Sequence, residues 1–337
     1  MAVLITGGAG YIGAHTVKYF REKYKEVIVV DCLKGGSTKA VENVIFYQVD
    51  IREKKALQKV FDHHDIEAVI HFAADSLVAE SMENPIKYYN NNVYGMMCLL
   101  EVMQVNHVKK IVFSSSASVY GEPITVPITE SAMAIPTNTY GETKLAIEKM
   151  MKWFDTAYGI KYVSLRYFNA SGAHVSGEIG EDHDPETHLI PLILKVALGK
   201  NQKITIFGDD YPTKDGTCIR DYIHVVDLAA AHFLAYTYLM TDGPSEIFNL
   251  GSGEGYSVNE IVDIARKITG HPIPAEIKGR RHGDPAVLIA SSEKAMRVLG
   301  WHPEFNRVEI MIRDAWCWHQ KHPEGYREQA SLIEEVL

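Results

Sequence analysis

Residues 3–13 read Val-Leu-Ile-Thr-Gly-Gly-Ala-Gly-Tyr-Ile-Gly, and this stretch decides the fold. Val3–Thr6 is short and apolar and predicts a strand, whereas a helical period begins directly after the glycines. Gly7 permits a tight turn, Gly10 lets the main chain approach a pyrophosphate, and Gly13 lets the helix pack closely against the strand. The amide groups at the start of that helix favour an anion. The stretch predicts a phosphate-binding loop; a tight turn without a ligand is the alternative.

Apolar runs that predict strands alternate with segments of helical period as far as residue 167. The strand candidates lie at 3–6, 26–30, 44–49, 68–72, 110–114 and 162–165. The helix candidates lie at 11–22, 53–63, 86–106 and 139–157. Several strand candidates are apolar at nearly every position, as in strands buried on both faces of a parallel sheet. We therefore predict a Rossmann-type, doubly wound parallel α/β domain over residues 1–167.

The pattern changes beyond residue 167, where a polar loop over 171–186 precedes shorter elements. Helix candidates lie at 188–199, 227–239, 258–269 and 308–319, and strand candidates at 203–207 and 247–250. Ser257 and Glu260 form a capping box before the third of these helices, and Gly270 ends it. We predict a smaller mixed α/β substrate-binding part over 168–337 that shares a cleft with the first domain, with some crossing of the chain between the two.

The composition excludes several classes of function. Among 337 residues, 34 Lys and Arg face 43 Asp and Glu, so the net charge of −9 provides no overall attraction for nucleic acid or anionic lipid. The four cysteines lie far apart, and no run of eighteen apolar residues occurs. We therefore expect a cytoplasmic protein with neither a nucleic-acid nor a membrane partner. No metal is expected either, because the histidines form no convincing ligand motif and His183 and His188 are interpreted as a surface pair.

Acidic and small residues follow the next strand candidates. Asp31 ends the second one at the distance from the glycines where a carboxylate accepts hydrogen bonds from an adenosine ribose and repels a 2′-phosphate. That position favours NAD over NADP, although Lys34 nearby weakens the argument and a solvated aspartate is the alternative. Asp50 ends the third candidate and is expected to reach the adenine. Small residues in the segment 71–74 end the fourth, where a cofactor would cross the sheet edge.

A tyrosine and a lysine at the start of one helix candidate predict redox chemistry. Tyr140 and Lys144 are four residues apart and share a helix face, a spacing that by itself more often marks a surface helix. The segment 113–121 places hydroxyl groups, including Ser116, at the sheet edge where ligands of open α/β folds bind. A tyrosine with a pKa of about 10 becomes a base at neutral pH after a pKa decrease of roughly three units. Lys144 and an oxidised nicotinamide are expected to supply that decrease, while Ser116 hydrogen-bonds the reacting hydroxyl.

Together these motifs resemble the extended short-chain dehydrogenases/reductases, and among them the UDP-glucose 4-epimerase family, over essentially the whole chain. The matching segments are 6–13, 114–120, 140–144, 166–169, 206–208, 211–213, 220–224 and 280–284. The first three define the superfamily, and the later ones are specific to enzymes that act on nucleotide sugars.

The resemblance implies an isomerase of galactose metabolism that interconverts UDP-glucose and UDP-galactose through a bound 4-keto intermediate. NAD would be tightly bound and regenerated in every cycle, and the catalytic residues would be Ser116, Tyr140 and Lys144. The residues expected at NAD are Gly7, Gly10, Tyr11, Ile12, Gly13, Asp31, Asp50, Ile51, Phe72, Ala73, Ala74, Asn92, Ser114, Tyr140, Lys144 and Phe168. Those expected at the UDP-sugar are Ser116, Tyr140, Asn169, His188, Phe207, Arg220, Arg281, Asp284 and Leu288. A homodimer formed by the helices at 86–106 and 139–157 is also implied.

Three positions depart from the family pattern. Ser76 stands where a lysine often lies close to the cofactor phosphates, so NAD binding is expected to be weaker. His188 replaces an asparagine near the UDP. Leu288 replaces a tyrosine of members with a glucose-sized pocket, and the smaller side chain predicts partial activity on UDP-N-acetylglucosamine and its galactosamine epimer.

Two other functions fit the same fold. A nucleotide-sugar dehydratase or decarboxylase shares the first oxidation, but the segment 116–118 is Ser-Ala-Ser and lacks the acidic pair that dehydratases use. A non-catalytic NAD-binding sensor is possible on the fold alone. The presence of Ser116, Tyr140 and Lys144 together argues against the sensor.

Overall fold

The computed structural model describes residues 1–23, 26–281 and 284–326. Seven parallel strands form its large sheet, in the order β10-β6-β5-β4-β1-β2-β3. These strands are β1 (Ala2–Thr6), β2 (Val27–Asp31), β3 (Ile45–Gln48), β4 (Ile66–His71), β5 (Lys110–Ser114), β6 (Lys161–Tyr167) and β10 (Glu246–Leu250). The predicted Rossmann-type sheet is confirmed.

Helices cover both faces of this sheet. They are α1 (Tyr11–Lys23), α2 (Lys54–His63), α3 (Val78–Glu83), α4 (Pro85–Tyr88), α5 (Gly95–Val105), α6 (Thr139–Tyr158) and α8 (Val225–Met240). Side chains alternate along β1, so Val3 and Ile5 pack in one core with Phe20 of α1 and Leu228 of α8. Leu4 packs in the opposite core, with residues of α2, α5 and α6. Burial on both faces explains the continuous apolar strands.

The second half builds a smaller lobe beside the carboxyl ends of the large sheet. Its helices are α7 (Leu189–Ala197), α9 (Val258–Thr269), α10 (Glu293–Leu299) and α11 (Val308–Lys321). Its strands are β7 (Asn169–Ser171), β8 (Ile204–Phe207), β9 (Ile219–His224), β11 (Gly255–Ser257), β12 (Ala275–Lys278) and β13 (Val287–Leu288). Strand β9 pairs with β7, β11 and β13, and β8 pairs with β12. Residues of α7, α9 and α11 share a separate apolar core.

The chain returns from the second half to the large sheet. Strand β10 pairs in parallel with β6, with Glu246 opposite Val163 and Leu250 opposite Tyr167. Helix α8 packs against α1 beneath the same sheet. Two elements from beyond the predicted boundary at residue 167 therefore complete the large sheet and the helical layer on one of its faces.

Helix ends follow the local sequence. Ser257 and Glu260 form the predicted capping box of α9, and Gly270 ends that helix with a φ of +73°. The single helix predicted at 86–106 is instead interrupted by a π-helical segment, Tyr89–Tyr94, between α4 and α5. Three consecutive asparagines lie in that segment, and asparagine is a poor helix former. None of the helices formed by the described residues is long and apolar enough to span a bilayer.

Candidate active site

The glycine loop between β1 and α1 has the geometry that its sequence predicts. Gly7 has a φ of +70°, which glycine adopts without strain. A Cβ atom on Gly7 would lie 2.4 Å from the amide nitrogen of Ala73, and one on Gly13 would lie 2.2 Å from the carbonyl oxygen of Gly7. Around Gly10 the nearest atom to such a Cβ is 3.5 Å away, so the loop is open to a ligand there.

Asp31 holds this loop in place. Its carboxylate accepts hydrogen bonds from the amide of Ala9 at 3.0 Å and from the amide of Leu33 at 2.8 Å. Burial raises the pKa of Asp31, and these amide hydrogen bonds oppose the shift. A cavity of about 250 Å³ opens above, lined by residues 9–11 and 34–37 and by Gly180 and Asp182. A helix N-terminus, a carboxylate and an open cavity together fit the adenosine diphosphate part of NAD.

The end of β4 lies against the glycine loop. The amides of Phe72 and Ala73 donate to the carbonyl of Thr6 at 2.8 Å and 3.2 Å, and Ala74 follows directly. The Phe72 ring contacts the His232 ring, with 4.6 Å between centroids. This small-residue strand end therefore lies next to the loop, as the sequence predicts.

Asp50 and Ile51 follow β3, where each already has a protein partner. Arg52 donates from its Nε and Nη2 atoms to the Asp50 carboxylate at 2.9 Å and 2.5 Å. Those bonds lower the pKa of Asp50. Ile51 is buried against Gly95. Any contact of Asp50 with an adenine is therefore made by an ion-paired carboxylate.

Asn92 is fully buried in the π-helical segment. Its amide nitrogen donates to the carbonyl of Asp75 at 3.0 Å and to the Thr143 hydroxyl at 3.1 Å, while its amide oxygen accepts from the amide of Asp75 at 2.8 Å. The two donor hydrogens of Asn92 are thus used within the protein. Its observed contacts join the end of β4 to α6.

Tyr11 and Ile12 begin α1 and are directed into the protein. The Tyr11 hydroxyl donates to the carbonyl of Gly172 at 2.7 Å. Ile12 is half-buried against the core that α1 shares with α8. Tyr11 thereby connects the phosphate loop to the second half of the chain.

Ser116, Tyr140 and Lys144 come together beyond the carboxyl end of β5. Helix α6 starts here because the Asn138 side chain accepts a hydrogen bond from the amide of Gly141 at 2.8 Å. The Lys144 ammonium donates to the carbonyl of Ser114 at 2.8 Å and lies 5.6 Å from the centroid of the Tyr140 ring. All three side chains are buried.

In the protein without a cofactor, burial determines the charge states of Tyr140 and Lys144. It raises the pKa of Tyr140 to about 12, and a hydrogen bond with Ser116 opposes this increase. Burial also lowers the pKa of Lys144 to about 7, and Glu148 opposes that decrease. The sequence analysis expected Lys144 to contribute to a lower tyrosine pKa. That expectation also required an oxidised nicotinamide, so it stays a prediction for the enzyme with its cofactor, while in the protein alone burial disfavours the charged form of both side chains.

A buried ion pair that lies beneath Lys144 was not predicted from the sequence. Glu148 accepts from Arg166 Nε at 2.9 Å, from Arg166 Nη2 at 2.5 Å and from the Ser115 hydroxyl at 2.6 Å. Glu148 lies one turn beyond Lys144 on α6, and Arg166 interrupts the apolar residues of β6. An acid one turn after Lys144 and an arginine within an apolar strand were the sequence features from which this ion pair could have been predicted. Ser114, from the same strand end, hydrogen-bonds the Tyr167 hydroxyl.

The second half brings most residues expected at the nucleotide together. Asp284 lies between two guanidinium groups, with Arg220 Nη2 at 3.4 Å and Arg281 Nε at 3.2 Å. The Arg281 guanidinium lies 4.7 Å from the centroid of the Phe207 ring. One face of that ring is therefore covered by a cation. Asn169 donates from its side-chain amide to the carbonyl of Asp221 at 2.9 Å.

Leu288 lies next to Arg220 in the sheet of the second half. It pairs with Arg220 between β13 and β9. It also packs against a buried apolar cluster that contains Ala117 and Phe168. Ala117 follows Ser116 directly in the sequence, so this cluster relates the strand of Arg220 to the segment of Ser116.

His188 lies apart from that cluster, in the loop before α7. Its Nδ1 atom lies 2.5 Å from Glu181 Oε1, and His183 Nδ1 lies 3.2 Å from the same oxygen. Burial disfavours the charged imidazole, but the charge of Glu181 raises the pKa of His188 to about 9. His183 and His188, interpreted from the sequence as a surface pair, are thus joined through a fully buried carboxylate.

Known proteins resemble the chain over nearly its whole length. Residues 3–251 match the model of the NAD dependent epimerase/dehydratase family. A UDP-glucose 4-epimerase of Halalkalibacterium halodurans is 59% identical over 97% of this chain and 98% of the relative. A crystal structure of a UDP-glucose 4-epimerase is 57% identical with a TM-score of 0.95, over 97% of this chain and 100% of that one. The enzyme from Bifidobacterium longum, solved with NAD+ and UDP, is 42% identical with a TM-score of 0.92, over 97% and 100%.

The chain therefore belongs to the NAD-dependent epimerase/dehydratase family. Within that family its full-length similarity is to the UDP-glucose 4-epimerases, so it is an isomerase of the epimerase type. The predicted family, the predicted fold and NAD as the cofactor are confirmed.

Proposed function

We propose that this enzyme interconverts UDP-glucose and UDP-galactose through a 4-keto sugar that stays bound. The observation that carries the proposal is the position of Leu288, which pairs with Arg220 and packs against the apolar cluster that contains Ala117, the residue after Ser116. A diphosphate held by Arg220 and Arg281 would then have its sugar on the side of Ser116 and Tyr140. The similarity to UDP-glucose 4-epimerases supports the same choice of substrate.

The first lobe would hold NAD across the edge of the large sheet. The glycine loop and the start of α1 would face the pyrophosphate, and Asp31 would face the adenosine ribose. Ser114, Phe168 and Lys144 would lie at the nicotinamide end. Bound there, NAD would supply the hydride acceptor and donor for the C4 carbon of the sugar.

The catalytic residues would handle the proton of the sugar 4-hydroxyl. Tyr140 is the proposed base and acid, and the Ser116 hydroxyl would donate a hydrogen bond to the reacting oxygen. The pKa of Tyr140 is raised to about 12 by burial, so its phenolate needs a cation in contact. Lys144 Nζ, 5.6 Å from the ring centroid and held by the carbonyl of Ser114, is one candidate. The positive charge of the bound oxidised cofactor is the other.

The second lobe would bind the UDP part firmly. In a protein of net charge −9, two guanidinium groups must converge to bind a diphosphate, and Asp284 orients both of them. Phe207 is proposed to stack on the uracil, and Asn169 to hydrogen-bond the substrate near the catalytic group. His188 Nδ1 is engaged by Glu181, so any contact of His188 with UDP would use its other ring nitrogen.

The sugar pocket is proposed to admit an N-acetyl group, so UDP-N-acetylglucosamine and UDP-N-acetylgalactosamine are further substrates. Leu288 is half-buried, pairs with Arg220 and packs against the apolar cluster that contains Ala117 and Phe168. Replacing it with tyrosine adds a ring at that position. We expect Leu288→Tyr to remove activity on the N-acetyl sugars and to retain activity on UDP-galactose. Equal loss on both sugars would contradict this role of Leu288.

The test of the main proposal is an assay of UDP-galactose conversion without added NAD. UDP-glucose should form, and Tyr140→Phe should lower kcat by a factor of about 10² or more. Tyr158→Phe is the matched control, because that tyrosine ends the same helix and is half-exposed. Formation of a 4-keto-6-deoxy sugar would instead indicate a dehydratase. Bound NAD without turnover of any UDP-sugar would indicate the sensor.

We further propose a homodimer formed by α5 and α6. Tyr94, Met97 and Trp153 are large apolar side chains of this region and are exposed, Trp153 by 67%. Apolar patches of this kind mark interaction surfaces. Sedimentation should give twice the mass of the chain, and Trp153→Glu should shift the protein to monomer. A monomeric wild-type protein at micromolar concentration would refute the dimer.

A cytoplasmic role in galactose metabolism is proposed as well. All four cysteines lie in the described part of the chain and are free thiols. Free thiols are typical of a reducing compartment. Recovery of the enzyme in a secreted or membrane fraction after cell fractionation would contradict this localisation.

A further inference from the structure

Four side chains with metal-binding atoms meet in the loop between β7 and α7. They are Glu181, His183, Glu186 and His188, called here the loop cluster, and one ligand atom from each lies within 4.8 Å of the others. Glu181 Oε1 lies at the centre, 2.5 Å from His188 Nδ1 and 3.2 Å from His183 Nδ1. Glu186 lies opposite, with Oε1 3.7 Å from His188 Nδ1 and Oε2 4.0 Å from His183 Nδ1.

The second carboxylate of the loop cluster is incompletely paired. The side chain of Glu186 is only 2% exposed, and its Oε1 accepts from the amides of Thr187 and His188 at 2.8 Å and 2.9 Å. Its Oε2 is buried and finds no hydrogen-bond partner among residues 1–23, 26–281 and 284–326. A buried carboxylate oxygen without a partner is costly, and this one lies 4.0 Å from His183 Nδ1. This oxygen is the feature of the loop cluster that a cation would satisfy.

The distances suit a small divalent cation. A tetrahedral zinc ion with bonds of about 2.0–2.1 Å places its ligand atoms about 3.3–3.4 Å apart. The four separations given above, from 2.5 Å to 4.0 Å, bracket that value, so small side-chain rotations would produce the required geometry. A metal ion binds neutral imidazoles and so would displace a proton from His188; the two carboxylates then carry a charge of about −2, which a divalent ion neutralises. Mixed nitrogen and oxygen ligands favour zinc-type transition metals over Mg²⁺ or Ca²⁺.

We propose that the loop cluster is a binding site for Zn²⁺ or a similar divalent transition metal. The ion would cross-link the loop that leads to α7, and His188 is the N-cap residue of that helix. The His183 ring contacts the Tyr11 ring of the phosphate loop edge-to-face, with 6.2 Å between centroids. Gly180 and Asp182 of the same loop line the cavity above the glycine loop. The metal would thus have a structural role beside the cofactor site, outside the catalytic group.

The experiment is an isothermal titration calorimetry measurement in which Zn²⁺ is added to the full-length enzyme after treatment with a chelator. One equivalent should bind per chain, and Mg²⁺ should not bind. Replacement of Zn²⁺ by Co²⁺ should give the intense visible absorption of a tetrahedral cobalt site. A Co²⁺ spectrum typical of hexa-aquo or octahedral cobalt, or no stoichiometric Zn²⁺ binding, would overturn the proposal.

Two variants locate the site. His183→Phe keeps an aromatic ring beside Tyr11 and removes a ligand nitrogen, and Glu186→Gln keeps the Oε1 acceptor and removes the charge. Each should weaken Zn²⁺ binding by about tenfold or more, with unchanged circular dichroism in the absence of metal. His302→Phe is the matched control, because His302 is exposed and lies outside the loop cluster. Equal Zn²⁺ affinity in all three variants would show that binding occurs elsewhere and would overturn the assignment.

Discussion

The ion pair between Glu148 and Arg166 gives the sharpest test of the reasoning, through the variant Glu148→Gln. Both side chains are nearly inaccessible, at 4% and 5% exposure. The carboxylate of Glu148 accepts two hydrogen bonds from Arg166 and one from Ser115. The substitution leaves the guanidinium of Arg166 buried without its counter-charge.

The expected cost follows from that burial. Removing one partner of a buried pair destabilises a protein by about 3–5 kcal/mol, because the remaining charge stays out of water. The free energy of unfolding should fall by this amount in Glu148→Gln. In the double variant Glu148→Gln with Arg166→Met, at least about half of the loss should return, since no buried charge remains.

Urea unfolding followed by tryptophan fluorescence measures these values, with unchanged slopes as the check that only stability changed. Asp263→Asn is the matched control, because it removes an exposed carboxylate from an ion pair with Arg266 on α9. Exposed pairs contribute less than about 1 kcal/mol. A loss below about 1 kcal/mol in Glu148→Gln, or a double variant less stable than the single one, would refute the argument.

Three further outcomes are expected. Gly13→Ala should purify with less than about a tenth of the wild-type NAD content, since its Cβ would lie 2.2 Å from the Gly7 carbonyl oxygen; normal NAD content would contradict this. Asp284→Asn should raise KM for UDP-galactose about tenfold and change kcat less, because Asp284 forms ion pairs with both arginines. A fall in kcat with an unchanged KM would contradict a role of Asp284 in binding the nucleotide. Burial lowers the pKa of Lys144 from 10.5 to about 7, so between these pH values the unfolded chain binds more protons than the folded one, and the stability of the wild type should rise with pH. Lys144→Met should lack this rise. Unfolding free energies that change in parallel with pH in the two proteins would disprove the prediction.

The sequence predicted the elements of the first lobe closely because one physical signal specifies each of them. Val3–Thr6 is buried on both faces, Gly7 and Gly13 have no room for a Cβ, and α6 begins at its Asn138 cap. Strand β10 was predicted as a strand, but its return to the large sheet was not located. Its pairing with β6 depends on contacts more than 80 residues apart, which no local period reveals.

The charge state of the catalytic group was the least predictable part of the site. Spacing places Tyr140 and Lys144 on one helix face, yet it does not state how much water each side chain loses. The structure shows both buried, and burial moves their pKa values in the direction that disfavours both charges. Asn92 shows the same limit. The sequence indicates only a polar side chain within a helix at this position. The tertiary structure is needed to show that the Asn92 side-chain amide is hydrogen-bonded to Asp75 and Thr143.

The two lobes differ in how they hold their polar groups, and that difference suits a reaction in which the sugar must turn over while the nucleotide stays bound. Lys144 and the Glu148 pair beneath it are buried, and hydrogen bonds hold them against the large sheet, so the surroundings of Tyr140, the proposed base, have a fixed position. The nucleotide cluster is built from partly exposed ion pairs on separate strands, with Arg281 exposed by 59%. Between them the structure places the apolar side chain of Leu288. In the proposed function, Leu288 would offer the sugar no hydrogen bond and so would favour neither face of the ring, whereas ionic contacts on the diphosphate would hold the substrate through the exchange.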